Sequence, residues 1–233
     1  MLSFTQLFAQ KFELSVQANS GLFHYSGVSS ASVSFISAGA TDKENYTNNP
    51  YGNKNGFSYG ADIQDQYVSK CGFIAGLQAG YEVLRSKVDI NGYIPSGFYL
   101  FFTSNGDYQI PVKGQTSLQD QDININPYVG YRLKIKNIKI DMMPGIDFGF
   151  NVGSYDKGKA TDSTGNVYRT DSKKSNAPTD VRLKFGIAAT YKRFAITASY
   201  AHGLRNLENN IIGDGSYEVH SELIRFGIAY KIL

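Results

Sequence analysis

The chain has 233 residues, enough for one barrel-sized domain or two small ones. Hydrophobic residues make up 42%, charged residues only 18%, and there are 17 Tyr, 15 Phe and 24 Gly, a mixture that suits a β protein better than a helical bundle. The formal charge of +3 is too small and too evenly spread to argue for a nucleic-acid partner. Cys71 is the only cysteine, so no internal disulfide forms. His24, His202 and His220 lie far apart in sequence and no Cys/His pair has ligand spacing, so neither a metal nor a cofactor is expected. No run reaches the about 18 apolar residues of a membrane-crossing helix. A mean hydropathy of −0.29 does not argue against a membrane, because barrel strands alternate and average out.

Residues 1–10 are apolar and end in Phe8-Ala9-Gln10. They are expected to be the remnant of a secretory signal peptide, cut near Ala9 or Gln10, although a basic leading region is missing. Residues 11–233 then form the folded domain.

From there the organising pattern is alternation at period two. A first strand shows Phe12, Leu14, Val16 and Ala18 against Glu13, Ser15, Gln17 and Asn19. A second sets Phe73, Ala75, Leu77, Ala79, Tyr81 and Val83 against Gly76, Gln78, Gly80 and Glu82. After a tight turn at Arg85-Ser86, a third offers Val88 and Ile90 against Lys87, Asp89 and Asn91. The fourth runs from Ile123 to Leu133, with Asn124, Asn126, Gly130 and Arg132 opposed. The fifth runs from Ile138 to Phe150, with Lys139, Asp141, Gly145, Asp147 and Gly149 opposed. The sixth covers Val181 to Tyr191, the seventh Phe194 to Tyr200 and the eighth Ile224 to Ile232; their polar faces hold Arg182, Lys184, Arg225 and Lys231.

Short turns fall at 85–86, 134–137 and 192–193, and long polar connections at roughly 26–58, 95–119, 153–179 and 203–220. Tight turns at one end and long loops at the other predict an all-β fold, an eight-stranded antiparallel up-and-down transmembrane β-barrel. Its termini would be periplasmic and its long loops extracellular, in a bacterial outer membrane. Three features put lipid outside. The apolar faces are bulky over the length needed to cross a bilayer, the polar faces mix charge with glycine as a narrow lumen requires, and Phe12, Tyr81, Tyr131, Tyr191, Phe194 and Tyr230 suit an aromatic girdle. Lipid offers no hydrogen bonds, so such a sheet must close on itself. Pro127 and Pro144 each remove a ladder donor, which predicts a bulge or displaced segment near each.

Several segments resemble the outer membrane protein β-barrel domain family common in Bacteroidota, a porin-like small-barrel group. They are Gly76-Leu77-Gln78-Ala79-Gly80-Tyr81-Glu82, Leu84-Arg85-Ser86-Lys87-Val88, Pro127-Tyr128-Val129-Gly130-Tyr131, Tyr200-Ala201-His202-Gly203-Leu204 and Phe226-Gly227-Ile228-Ala229-Tyr230-Lys231. The resemblance spans nearly the whole chain from Lys11, and the chain departs from it by ending in Ile232-Leu233 where an aromatic often closes such barrels. It implies an outer-membrane location and no single function.

The inward face is expected to carry Glu13, Glu82, Asp89, Asp141 and Asp147 with Lys87, Arg132, Lys139, Arg182, Lys184, Arg225 and Lys231. Buried charges must pair, so these predict a salt-bridge plug, with Glu82–Arg132 and Asp147–Lys184 as the first pairs to examine. The apolar run Phe98, Tyr99, Leu100, Phe101 and Phe102 is a mouth flap or a surface for a protein partner or hydrophobic ligand. A catalytic role for His202 would want a nearby Ser, but the sequence reads His202-Gly203-Leu204. The reading is therefore a monomeric, non-enzymatic barrel that contacts outer-membrane lipid and anchors or binds through its loops. A narrow porin-like conduit is the alternative, and a lipid A-modifying enzyme stands behind both.

Overall fold

The computed structural model describes residues 11–40, 44–95, 109–174, 178–208 and 217–233. The proposed signal remnant and the Phe98–Phe102 run lie outside the described residues. The described part contains eleven strands: β1 (Lys11–Ser26), β2 (Val33–Ser37), β3 (Tyr46–Thr47), β4 (Lys54–Val68), β5 (Phe73–Ile94), β6 (Ile110–Ile135), β7 (Ile138–Asp162), β8 (Val167–Lys174), β9 (Asp180–Tyr191), β10 (Phe194–Gly203) and β11 (His220–Lys231).

Eight of these close a ring. Going round, β1 pairs with β4, β4 with β5, β5 with β6, β6 with β7, β7 with β9, β9 with β10 and β10 with β11, and β11 returns to β1, every pair antiparallel. The other three are additions at one end. β2 lies parallel to β5 and carries β3, while β8 folds back on β7.

The eight strands are not all the eight that alternation predicts. The expected turn at Arg85-Ser86 does not exist, because β5 runs unbroken through it and merges the second and third expected strands. The missing member is β4, of which only 54–58 falls in the connection expected at 26–58, while alternation assigns the rest to no strand. Its outward residues Phe57, Tyr59, Ala61 and Ile63 alternate cleanly, but Asp65 follows where an apolar residue is expected, and this hid the strand. The end of the loop expected at 95–119 and most of the one expected at 153–179 are strand, since β6 begins at Ile110 and β7 and β8 form a hairpin across 138–174.

Three short turns join strands at one end. In them Gly72, Lys136 and Lys192 take positive φ of 94°, 53° and 55°. Neither proline shifts the register: Pro127 pairs with Leu77, and Pro144 with Phe185. The recorded shift on β6–β7 instead falls between Gln121 and Asp122, where β7 carries one extra residue. A single added residue flips the side-chain alternation of everything beyond it. Asp147 and Asp141 face inward on one side of this bulge, and Asp156 and Ala160 do so on the other, while Lys157 and Lys159 are turned outward.

The ring is uneven in height. β9, β10 and β11 have 12, 10 and 12 residues, close to the about 9–11 that cross a bilayer at a tilt. β5, β6 and β7 have 22, 26 and 25, so they rise well beyond that length. With β2, β3 and β8 they make a tall extension on one side, opposite the short turns.

Candidate functional site: the ring interior and its rims

Across most of the ring the outward face is apolar. Leu77, Val129, Phe185 and Ile228 are 47%, 53%, 46% and 69% exposed, whereas inward Glu13, Glu82, Asp147 and Arg182 are at most 3%. At the short-turn end aromatics meet around the perimeter: Phe12 opposite Tyr67, Phe73 opposite Tyr131, and Phe194 between Tyr191 and Tyr230. Tyr81, also expected in a girdle, lies eight residues up β5 from Phe73. At about 3.4 Å per residue that spacing is near the height of an apolar band, so Tyr81 belongs to the opposite rim.

The interior is layered. Nearest the short turns, Arg132 forks onto two carboxylates. Its Nε and Nη2 donate to Asp141 at 2.6 Å each, and its Nη1 and Nη2 donate to Glu13 at 3.0 and 2.8 Å. Lys231 also pairs with Glu13, and Gln66 donates to Glu13 at 3.0 Å while accepting from the Tyr128 hydroxyl at 2.9 Å. The charges balance, and the planar guanidinium satisfies both partners in the geometry it favours.

A second cluster sits higher. Arg182 lies within 2.8 Å of Glu82, 3.4 Å of Asp122, 3.5 Å of Asp147 and 3.1 Å of Asp180. Arg225 bridges Glu82 and Asp147. Asp62 accepts from Asn19 at 2.5 Å and from Asn124 at 3.4 Å. Gly149 provides the space: a Cβ there would stand 2.3 Å from Arg182 Nη2. Between the clusters Lys184 donates to Gln78 at 2.6 Å, beside a cavity of about 30 Å³ lined by polar residues including Gln17, Gln64 and Asn126.

Of the twelve charged residues expected inside, Glu13, Arg132, Asp141 and Lys231 come together in one cluster, and Glu82, Asp147, Arg182 and Arg225 in the other. Lys184 is inward between them, and Lys139 is half-buried near a short turn. Lys87 and Asp89 are corrections. Because β5 has no turn at 85–86, its alternation continues, burying Val88 and Ile90 and turning Lys87 and Asp89 outward, where Asp89 pairs with Lys54. The two expected pairings also fail: Glu82 meets Arg182 and Arg225 instead of Arg132, and Asp147 meets those same arginines instead of Lys184. Sequence reading missed Asp62 and Gln66 with the whole of β4, and missed Asp120 and Asp122. The last two share the parity of Asn124 and Asn126 and were recoverable from it.

Above the second cluster the interior turns apolar. Phe23, Tyr25, Leu84, Leu118, Ala201, Val219 and Leu223 pack together, with the Tyr25 hydroxyl donating to Asp120 at 2.5 Å on their lower edge. Higher still, inside the extension, Ile36, Val88, Ile90, Tyr93, Val112 and Ala160 form another apolar core. Thr47 ties β3 to this region by donating its hydroxyl to Asp156 at 2.9 Å and its backbone N–H at 2.6 Å. Burial pushes the Asp156 carboxyl up, against the hydrogen bonds from Thr47.

On the outward rim of the low wall the three histidines gather despite their sequence separation. His24 and His202 flank Glu222 across neighbouring strands. Glu222 lies 2.7 Å from His202 Nδ1 and accepts from Tyr200 at 2.5 Å, and the rings of His202 and His220 stack with centroids 5.9 Å apart. Among the described residues no group of three His, Cys, Asp or Glu is arranged to hold a metal ion.

A closed ring that is apolar outside and ionic within is a β-barrel built for a membrane. The chain belongs to the outer membrane protein beta-barrel domain family, whose model matches residues 8–209. It is thus a transmembrane β-barrel protein of the bacterial outer membrane. No curated protein matches it. Among solved structures it is similar to Ail, the attachment invasion locus protein of Yersinia pestis in complex with the heparin analogue sucrose octasulfate, at 12% identity over 95% of this chain and 99% of that one, with a TM-score of 0.35. It is also similar to Neisserial surface protein A, at 15% identity over 94% and 97% with a TM-score of 0.39. A major outer membrane protein from Thermus thermophilus is 13% identical over 95% and 100%, also with a TM-score of 0.39.

Proposed function

We propose that this protein is an eight-stranded antiparallel up-and-down barrel with a plugged lumen, serving as a non-enzymatic anchor whose tall extension does the binding. The short turns and both termini face the periplasm and the extension faces outward. The observation that carries this is the interior stack: two ionic clusters with an apolar layer of Phe23, Leu84, Leu118 and Leu223 above them. An ion crossing it would have to break carboxylate–guanidinium pairs and then enter hydrocarbon, both costly steps.

Planar-bilayer recording of the purified full chain tests the plug. We expect no discrete conductance, and steps in the native protein would favour the narrow-conduit alternative, for which the small polar cavity beside Lys184 is the supporting feature. Cys71, the single cysteine, is exposed in a short turn and tests the orientation. A membrane-impermeant thiol reagent should leave it unlabelled in intact cells and label it after lysis.

A further inference from the structure

We infer that the short-turn end binds the phosphates of anionic phospholipids, through lysines set in strained turns beside the aromatic girdle. The leaflet concerned is the periplasmic one, which rests on the orientation proposed above. Three turns close this end, at residues 69–72, 136–137 and 192–193. Among the described residues the only non-glycine residues with positive φ are Lys136 and Lys192, at 53° and 55°, each the first of a two-residue turn. A side chain there crowds its own backbone, and glycine is the residue that avoids the strain. The 69–72 turn does use one, Gly72 at 94°. Lysine at both of the other positions, against that preference, is the mark of a side chain in use.

Each turn carries exposed cations and no carboxylate: Lys70 in the first, Lys136 in the second, Lys192 and Arg193 in the third. Lys134, also exposed, lies opposite Lys139 beside the second turn. The side-chain carboxylates nearest this end are already placed. Glu13 and Asp141 are buried and held by Arg132, and outward Asp65 sits two residues further into the apolar band than Tyr67. Among the described residues no carboxylate, Leu233 included, lies within 4.0 Å of Lys70, Lys136, Lys192 or Arg193. The opposite rim of the low wall differs, since Glu222 there already meets His202.

These cations stand where hydrocarbon ends. Tyr191 and Phe194 of the girdle flank Lys192 and Arg193, and outward Ile135 and Ile138 flank Lys136 and Asn137. Ile138 lies opposite Tyr191, so the two turns share one edge of the girdle. Lys192 Nζ is 5.4 Å from the centre of the Tyr191 ring, and Arg193 Nη1 donates to the Tyr230 hydroxyl at 3.4 Å. Both side chains thus lie back along the outer wall, at the level of headgroups. A soluble polyanion would meet the turns end-on, away from these rings. A phosphate beside them accepts charge-assisted hydrogen bonds, and each cation at such a surface adds attraction.

The test reconstitutes the full chain into equimolar phosphatidylcholine–phosphatidylglycerol vesicles. After mild detergent extraction, the lipids retained per barrel are counted by mass spectrometry of the intact complex. The native protein should retain phosphatidylglycerol about tenfold better than phosphatidylcholine, and less so as salt rises. The double variant Lys136→Gly, Lys192→Gly should lose most of that preference, while Lys159→Gln, at the other end, should keep it. Heat-modifiability on a gel reports that each variant has folded. Glycine suits both turns, so in pure phosphatidylcholine the double variant should unfold at a urea concentration no lower than the native protein does. A clearly lower midpoint would make the lysines structural and overturn the inference. Equal retention of the two lipids by the native protein also overturns it, as does binding to peptidoglycan that the double variant loses while its lipid retention is unchanged. Vesicle retention is independent of how the barrel sits in a cell. Surface labelling of Cys71 in intact cells would therefore sink the periplasmic assignment alone, and absence of the vesicle preference the phosphate site alone.

Discussion

Along its axis the barrel holds two regions built on opposite rules. In the membrane-spanning ring the exterior is apolar and the interior ionic, as at Phe185 outside and Arg182 inside on the same strand. In the extension the interior is apolar, with Ile36 and Val88 fully buried, and the exterior carries Lys113, Lys159 and Arg169. The same strands, β5 to β7, serve both. A strand obeys whichever solvent surrounds it, so one continuous sheet can invert its preferences where hydrocarbon gives way to water. The layer around Phe23 and Leu118 marks the changeover.

The comparison can be broken most forcefully at Arg182. Replacing it with Leu leaves buried Asp122 and Asp180 without a cation and Glu82 and Asp147 to share Arg225 alone, at a cost of about 3–5 kcal/mol. The whole ring should unfold at lower urea and lose its heat-modifiable band. Ile36→Ala acts on the other rule. It should cost about 2–4 kcal/mol but confine the damage to the extension, so protease nicks appear there while the heat-modifiable band survives.

Asp65 sharpens the boundary from the opposite direction. It faces outward in the apolar band, between Leu14 and Leu77, two residues from Tyr67 in the girdle. Asp65→Leu should stabilise the barrel in bilayers by about 1 kcal/mol, read from urea midpoints in vesicles. The smallest effect lies at the tip of the β7–β8 hairpin. Hydrogen bonds from Thr164 above all, joined by those from Asn166, hold the Asp162 carboxyl below its usual range against the opposing effect of desolvation. Because the folded value is depressed, its contribution is complete above the ordinary carboxylate range near about 3.9 and is lost as pH falls through the lowered value. Protection of the Thr164 and Asn166 amides relative to their intrinsic exchange rates should therefore hold at neutral pH and fall only in strong acid, and Asp162→Ala should abolish it at every pH.

What the sequence made legible follows from the same two rules. Alternation identified the walls wherever outward residues were uniformly apolar, as on β6 and β9. It failed at β4, where one aspartate interrupts the pattern, and at β5, where Arg85 beside Ser86 mimics a turn. Arg85 is instead satisfied across the sheet, donating to Gln119 at 2.9 Å and lying over the Tyr59 ring. The error at β5 then carried Lys87 and Asp89 to the wrong side, since parity propagates. Membership of the ionic clusters was largely readable because inward charges share a parity, but partner choice was not. Arg182 meets Glu82 across 100 residues, a proximity set by tilt and closure rather than by local spacing.

The contact between Lys231 and Glu13 joins strand β11 to β1 across 218 positions. Of the ring's strands, the last to be synthesised is thus the one that makes a cylinder out of a sheet. Until it docks, β1 has an open edge and Glu13 lacks one of its cations. Closure must be a late, concerted event, and a chain awaiting it needs protection from pairing with its neighbours.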